Sequence, residues 1–130
     1  MTIEFSRMKS TPIKKILLLD DDRIQGILYK KRFLKINSGI EFVYFDTPSK
    51  ALDFLKTESI DLLLIDLNLP EMSGWEFVNE VEKVSPNSKV ILQSGSVQQE
   101  ETQRANSDKR ISQIFEKPLS ETDLISILGL

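Results

Sequence analysis

The chain has 130 residues, 40% of them hydrophobic, with 17 basic and 20 acidic side chains and a net charge of −3, which fits one globular domain and disfavours a dedicated nucleic-acid binder. It contains no cysteine and no histidine; disulfides, thiol chemistry, Ser-His-Asp hydrolysis and His-ligated zinc are therefore excluded, and any resident metal must be held by oxygen, as Mg²⁺, Ca²⁺ or Mn²⁺ are. The apolar runs are too short to cross a bilayer, and Met1–Ser10 lacks the apolar centre of a signal peptide, so no membrane association and a cytoplasmic location are the expectation.

Residues 1–13 have no periodicity and read as a flexible N-terminal leader, with the folded domain over residues 14–130. Ile16 to Leu19 is a short aliphatic strand that runs into Asp20-Asp21-Asp22. A helix follows, for which Ile24, Ile27, Leu28 and Leu34 are the expected apolar face and Lys30, Lys31 and Arg32 a solvated one. Gly26 inside it lowers helix propensity by roughly 1 kcal/mol against Ala. Asn37-Ser38-Gly39 breaks the helix, and Ile40 to Phe45 is rich in strand formers. Thr47 and Pro48 supply an N-cap and a first helical residue, and Ala51, Leu52 and Leu55 the buried face.

Leu62 to Ile65 is an unbroken aliphatic run ending on Asp66, the pattern of a strand covered on both faces. Ser73-x-x-Glu76 is a capping box for a helix with Phe77, Val78, Val81 and Val84 inside. Val90 to Gln93 is the fourth strand and ends at Ser94. Ser96-x-x-Gln99 resembles a second capping box, for a helix near residues 97–105 with almost no apolar face. Ile111 to Glu116 is the fifth strand, followed by Lys117-Pro118 and a last helix through Leu124, Ile127 and Leu128. Strands alternating with helices imply right-handed crossovers and a doubly wound α/β parallel sheet, with helices on both faces.

Polar residues stand where strands one, three, four and five end, which in open α/β sheets is where ligands bind. Each has an ordinary explanation: Asp20–Asp22 as helix caps and first-turn acids, Asp66 as a loop acid, Ser94-Gly95 as a turn, Lys117-Pro118 as a charged residue before a rigid turn. Four such features converging with complementary charge go beyond capping. Asp20, Asp21 and Asp66 concentrate negative charge that a divalent cation offsets. Lys117 adds a cation able to pair with Asp66 or with a phosphoryl oxygen, and Ser94 a hydroxyl. Such a site suits phosphoryl transfer onto a carboxylate.

The segments ILLLDDD, DLLLIDLNLP with Gly74, VILQSGS and FEKP, spread over about residues 14 to 128, resemble the receiver domain of two-component response regulators, of the stand-alone chemotaxis type. The resemblance implies a flavodoxin-like fold with sheet order 2-1-3-4-5. It implies Asp66 as phosphoacceptor, Asp20 and Asp21 as the acidic pair and Asp21 as a direct Mg²⁺ ligand. The backbone carbonyl of Asn68 matches a further ligand, Ser94 the switch hydroxyl, and Lys117 the lysine that precedes a cis proline, here Pro118. The donor would be the phosphohistidine of a sensor kinase or phosphotransfer protein, and the output a change in binding to a downstream protein, with no enzyme activity beyond Mg-dependent self-phosphorylation and autodephosphorylation. One departure is Ile114, where receivers carry Tyr, Phe or His three residues before the lysine. It motivates an alternative: a phosphorylation-independent interaction module with a degenerate switch. A haloacid-dehalogenase-type phosphatase fits less well, since it wants a second Asp where Asn68 stands and a larger body. A flavodoxin-type cofactor carrier would need a Ser/Thr/Gly-rich loop after the first strand, and none is present.

Overall fold

The computed structural model describes residues 12–130. Its elements are β1 (Lys15–Leu19), α1 (Arg23–Ile36), β2 (Glu41–Phe45), α2 (Pro48–Leu55), β3 (Leu62–Asp66), α3 (Gly74–Val84), β4 (Lys89–Ser94), α4 (Gln99–Ser107), β5 (Ile111–Glu116) and α5 (Glu121–Ile127). The five strands are parallel in the order β2-β1-β3-β4-β5, the doubly wound arrangement expected. Of the leader read over residues 1–13, residues 1–11 lie outside the described residues. Ile13 is half-buried against the core.

The central strands β1 and β3 are aliphatic because helices cover both of their faces. Leu17, Leu19, Leu63 and Ile65 face α2 and α3, where they meet Ala51, Leu55, Phe77, Val78 and Val81; Ala105 of α4 joins the same layer. Ile16, Leu18, Leu62 and Leu64 face α1 and α5, against Tyr29, Phe33, Leu124 and Ile127. Each fully buried Leu or Phe stabilises the fold by about 1.5–3 kcal/mol relative to exposure. Alternation along β5 puts Ile114 in the first layer and Phe115 in the second.

Three local expectations are corrected. The buried face of α1 is Gly26, Tyr29 and Phe33, whereas Ile24, Ile27 and Leu28 are 66%, 58% and 46% exposed. The aromatic rings decide the face: Phe33 packs against Tyr29 and Phe42, and Gly26 lets α1 approach the ring of Tyr44, where a Cβ would stand 2.8 Å from ring carbons. Arg32, on the face read as solvated, donates instead to the Leu119 carbonyl at 2.7 Å.

The α4 helix starts later than expected and is capped at Gln98, whose backbone N–H donates to the Glu101 carboxylate at 3.0 Å. Ser96 does not cap it; its hydroxyl accepts from the Gln98 side chain. Thr47 is the N-cap of α2 by position, but its buried hydroxyl has no hydrogen-bond partner among the described residues. Glu71, from the loop after β3, takes the capping role by accepting the Ser49 N–H and hydroxyl at 2.9 and 3.0 Å. The Ser73–Glu76 box is present as read.

Candidate functional site

Strand ends place the site. Leu19 and Ile65 are in register on β1 and β3, so Asp20 and Asp66 leave adjacent strands side by side. Asp66 is in register with Gln93 on β4, and the loop after β5 is tied in by the Lys117 N–H donating to the Ser94 carbonyl at 2.7 Å. The peptide bond between Lys117 and Pro118 is cis. The start of α3 is drawn tightly under the end of β3: the Gly74 N–H donates to the Leu67 carbonyl, and a Cβ at Gly74 would lie 2.8 Å from the Asp66 carbonyl oxygen. Only glycine permits that approach.

Lys117 bridges the two buried carboxylates. Its Nζ donates to Asp66 Oδ2 at 2.7 Å and to Asp20 Oδ2 at 2.9 Å. Burial pushes the Asp20 carboxyl up, and this outweighs the lowering by Lys117 and by the Asp22 N–H, which donates to Asp20 Oδ1. For Lys117, burial acts downward, but the hydrogen bonds and charges of Asp66 and Asp20 carry its ammonium above the ordinary lysine value.

Asp21 completes an acidic trio. Asp20, Asp21 and Asp66 each present a carboxylate oxygen, all within 4.8 Å of one another; Asp20 and Asp66 are buried and Asp21 is exposed. One lysine does not balance three carboxylates at this range. An all-oxygen set with an open, solvent-facing member fits a hard divalent cation.

Asn68 and Ser94 flank the trio. The Asn68 backbone N–H donates to Asp66 Oδ1 at 3.0 Å, and its side-chain amide donates to Ser94 Oγ at 3.3 Å. The Ser94 hydroxyl in turn donates to the Ser96 carbonyl at 3.1 Å. The Val97 N–H donates to the Glu116 carboxylate, so the loop before α4 is held to the residue beside Lys117. All six residues singled out from the sequence, Asp20, Asp21, Asp66, Asn68, Ser94 and Lys117, thus lie in one cluster.

Three contributors were not singled out. Gln93 is fully buried and accepts from the Tyr29 hydroxyl at 2.8 Å. The Tyr44 hydroxyl donates to the Asp20 carbonyl at 2.6 Å, which burial and the nearby acids accompany by pushing that hydroxyl up to about 12. An amide within the aliphatic strand VILQS was the one sequence signal available for Gln93. The tyrosines carried no such signal.

Residues 16–129 match the family described as the response regulator receiver domain. Among curated relatives, the autoinducer 1 sensor kinase/phosphatase LuxN of Vibrio campbellii is 25% identical over 88% of this chain, which spans 13% of LuxN's length. The response regulator receiver protein CpdR of Brucella abortus is 28% identical, with 88% of this chain and 92% of CpdR covered. A solved CheY-like response regulator receiver domain from Methanospirillum hungatei superposes with a TM-score of 0.73 at 27% identity, covering 88% of this chain and 89% of that one.

Proposed function

Because the chain belongs to the response regulator receiver domain family, we propose that it accepts a phosphoryl group on Asp66 from the phosphohistidine of a sensor kinase or phosphotransfer protein, and that the phosphorylated form binds a downstream protein differently. The observation that carries this is Lys117 Nζ held between Asp66 and Asp20 at 2.7 and 2.9 Å, beside a third carboxylate. A single-domain arrangement is supported by CpdR, of which this chain covers 92%. A cytoplasmic location accords with a kinase donor; no described helix is long and apolar enough to cross a membrane.

In the transfer, an Asp66 carboxylate oxygen attacks phosphorus. A P–O bond forms, the P–N bond to imidazole breaks, and the imidazole leaves with the electron pair and takes a proton from solvent. Asp66 is oriented for attack by one contact on each oxygen, the Asn68 N–H on Oδ1 and Lys117 Nζ on Oδ2, and the attacking oxygen gives up its contact as the P–O bond forms. Lys117 then pairs with a phosphoryl oxygen in place of the carboxylate charge that is lost. Asp20, Asp21 and Asp66, with the Asn68 carbonyl, would hold Mg²⁺, which when bound neutralises the acids and the charge on the phosphoryl oxygens.

The switch follows from Ser94. Its hydroxyl is engaged by Asn68 and Ser96. Turning it toward a phosphoryl group releases both and loosens the segment leading to α4, whose single buried residue is Ala105. Acetyl phosphate with Mg²⁺ tests the reading: the intact protein gains the mass of one phosphoryl group, Asp66→Asn gains none, and chelation of Mg²⁺ abolishes the gain. Labelling of Asp66→Asn would overturn it. A second reading is motivated by Ile114, an aliphatic residue packed in the α2–α3 layer with no polar tip to swing. It holds that the site is kept and the switch lost; equal partner affinity of labelled and unlabelled protein would favour it.

A further inference from the structure

Gln93 is an amide buried without exposure between two hydrophobic layers, one residue before Ser94 and in register with Asp66. Burying an amide is unfavourable unless both ends find partners. Its oxygen accepts from the hydroxyl of Tyr29, itself 1% exposed, at 2.8 Å. Since the oxygen is taken by that O–H, the amide nitrogen must point the other way, and it donates to Asp20 Oδ2 at 3.5 Å. The result is a chain of buried polar groups from the inner face of α1, through β4, to the acid that Lys117 also holds.

The torsion of a carboxylate about its terminal bond is soft and roughly two-fold. In Asp20 it is held from three sides: Lys117 and Gln93 on Oδ2, and the Asp22 N–H on Oδ1. Replacing a buried hydrogen-bonded pair by apolar groups of similar shape is close to neutral for stability. A Tyr–Gln pair at this place is therefore not required by the core; the Tyr29 oxygen also meets the Leu119 backbone, and the pair's link to the site is the Gln93 amide on the Asp20 carboxylate.

We propose that Tyr29 and Gln93 form a buried tether that sets the orientation of Asp20 toward Asp66 and Asp21, and that both are positioning residues for divalent-cation binding. This rests on the site being the cation-dependent acceptor described above. Loss of a hydrogen bond to a metal ligand weakens binding about 10- to 100-fold in well-formed sites; with the 3.5 Å link, the lower end of that range, about tenfold, is expected.

Mg²⁺ binding to the full chain is measured by titration calorimetry for the parent, Gln93→Met, Tyr29→Phe and the double variant, alongside urea unfolding and acetyl phosphate labelling at graded Mg²⁺. The tether predicts a Kd raised about tenfold in Gln93→Met and in Tyr29→Phe, and no further in the double variant. It also predicts labelling that needs more Mg²⁺ but reaches the parent's rate at saturation, a split that a merely structural role would not give. An unchanged Kd in the double variant, or a labelling rate lowered equally at every Mg²⁺ concentration, overturns it. If Gln93→Met does not fold, Tyr29→Phe, which removes one oxygen, decides alone. A parent that neither binds Mg²⁺ nor labels sinks the acceptor reading and the tether together; a parent that does both, with variants that match it, sinks the tether alone.

Discussion

Burial pushes the Asp20 carboxyl up although the Lys117 ammonium stands 2.9 Å away. Desolvation at this position therefore outweighs the attraction of the lysine, and the ionised acid is a burden on the metal-free fold. The sign follows from linkage. A carboxyl whose folded value is raised above its ordinary 3.8 favours the folded state below that value, and loses this contribution as pH rises through the folded one. At neutral pH the metal-free Asp20→Asn variant should melt at a higher temperature than the parent, and the gap should narrow on acidification toward the ordinary carboxyl range. A lower melting temperature at neutral pH would show that the lysine contact dominates. On the proposed reading the same substitution should weaken Mg²⁺ binding, so the residue that burdens the metal-free fold would serve the metal-bound one. Asp66, buried like Asp20, is oriented by the Asn68 N–H and by the closer Lys117 contact.

At the scale of elements, aliphatic runs and caps made most of the fold legible. β3 and β5 begin and end where the sequence places them, because Leu62–Ile65 is an unbroken run and Lys117-Pro118 is a stop. The α1 face was not legible, because counting aliphatic side chains overlooks a glycine and two aromatic residues. The consequence is measurable. Ile27→Ser, at an exposed position, should change unfolding free energy by no more than about 0.5 kcal/mol, whereas Phe33→Ala should cost about 3–5 kcal/mol, both read from urea unfolding. The reverse ranking would restore the aliphatic face. The start of α3 gives a second test. Gly74→Ala sets a methyl against backbone atoms of Asp66 and Leu67, at 2.8 and 2.9 Å. It should cost about 1–3 kcal/mol from overpacking and lower the rate of Asp66 labelling, since the strand end must shift to make room. Unchanged stability would mean that the helix start gives way instead.

Across the whole molecule, the cluster is assembled by topology: residues 20, 66, 94 and 117 are distant in sequence and meet because parallel crossovers bring four strand ends to one edge. Polar residues directly after apolar runs made these four visible. Gln93, Tyr29 and Tyr44 were not, because their roles depend on which layer α1 faces and on contacts between elements that periodicity does not encode. The exposed Asp21 opens the acidic trio to solvent, and α4, whose single buried residue is Ala105, lies beyond Ser94, so the proposed entry for a donor and the segment proposed to move adjoin the same site. The most direct test is to locate the acyl phosphate. Borohydride converts an aspartyl phosphate to homoserine, and peptide mass mapping after acetyl phosphate and Mg²⁺ treatment then reads its position. The account predicts homoserine at residue 66 and at no other acid; homoserine at residue 20 or 21, or an unmodified residue 66 in labelled protein, would contradict it.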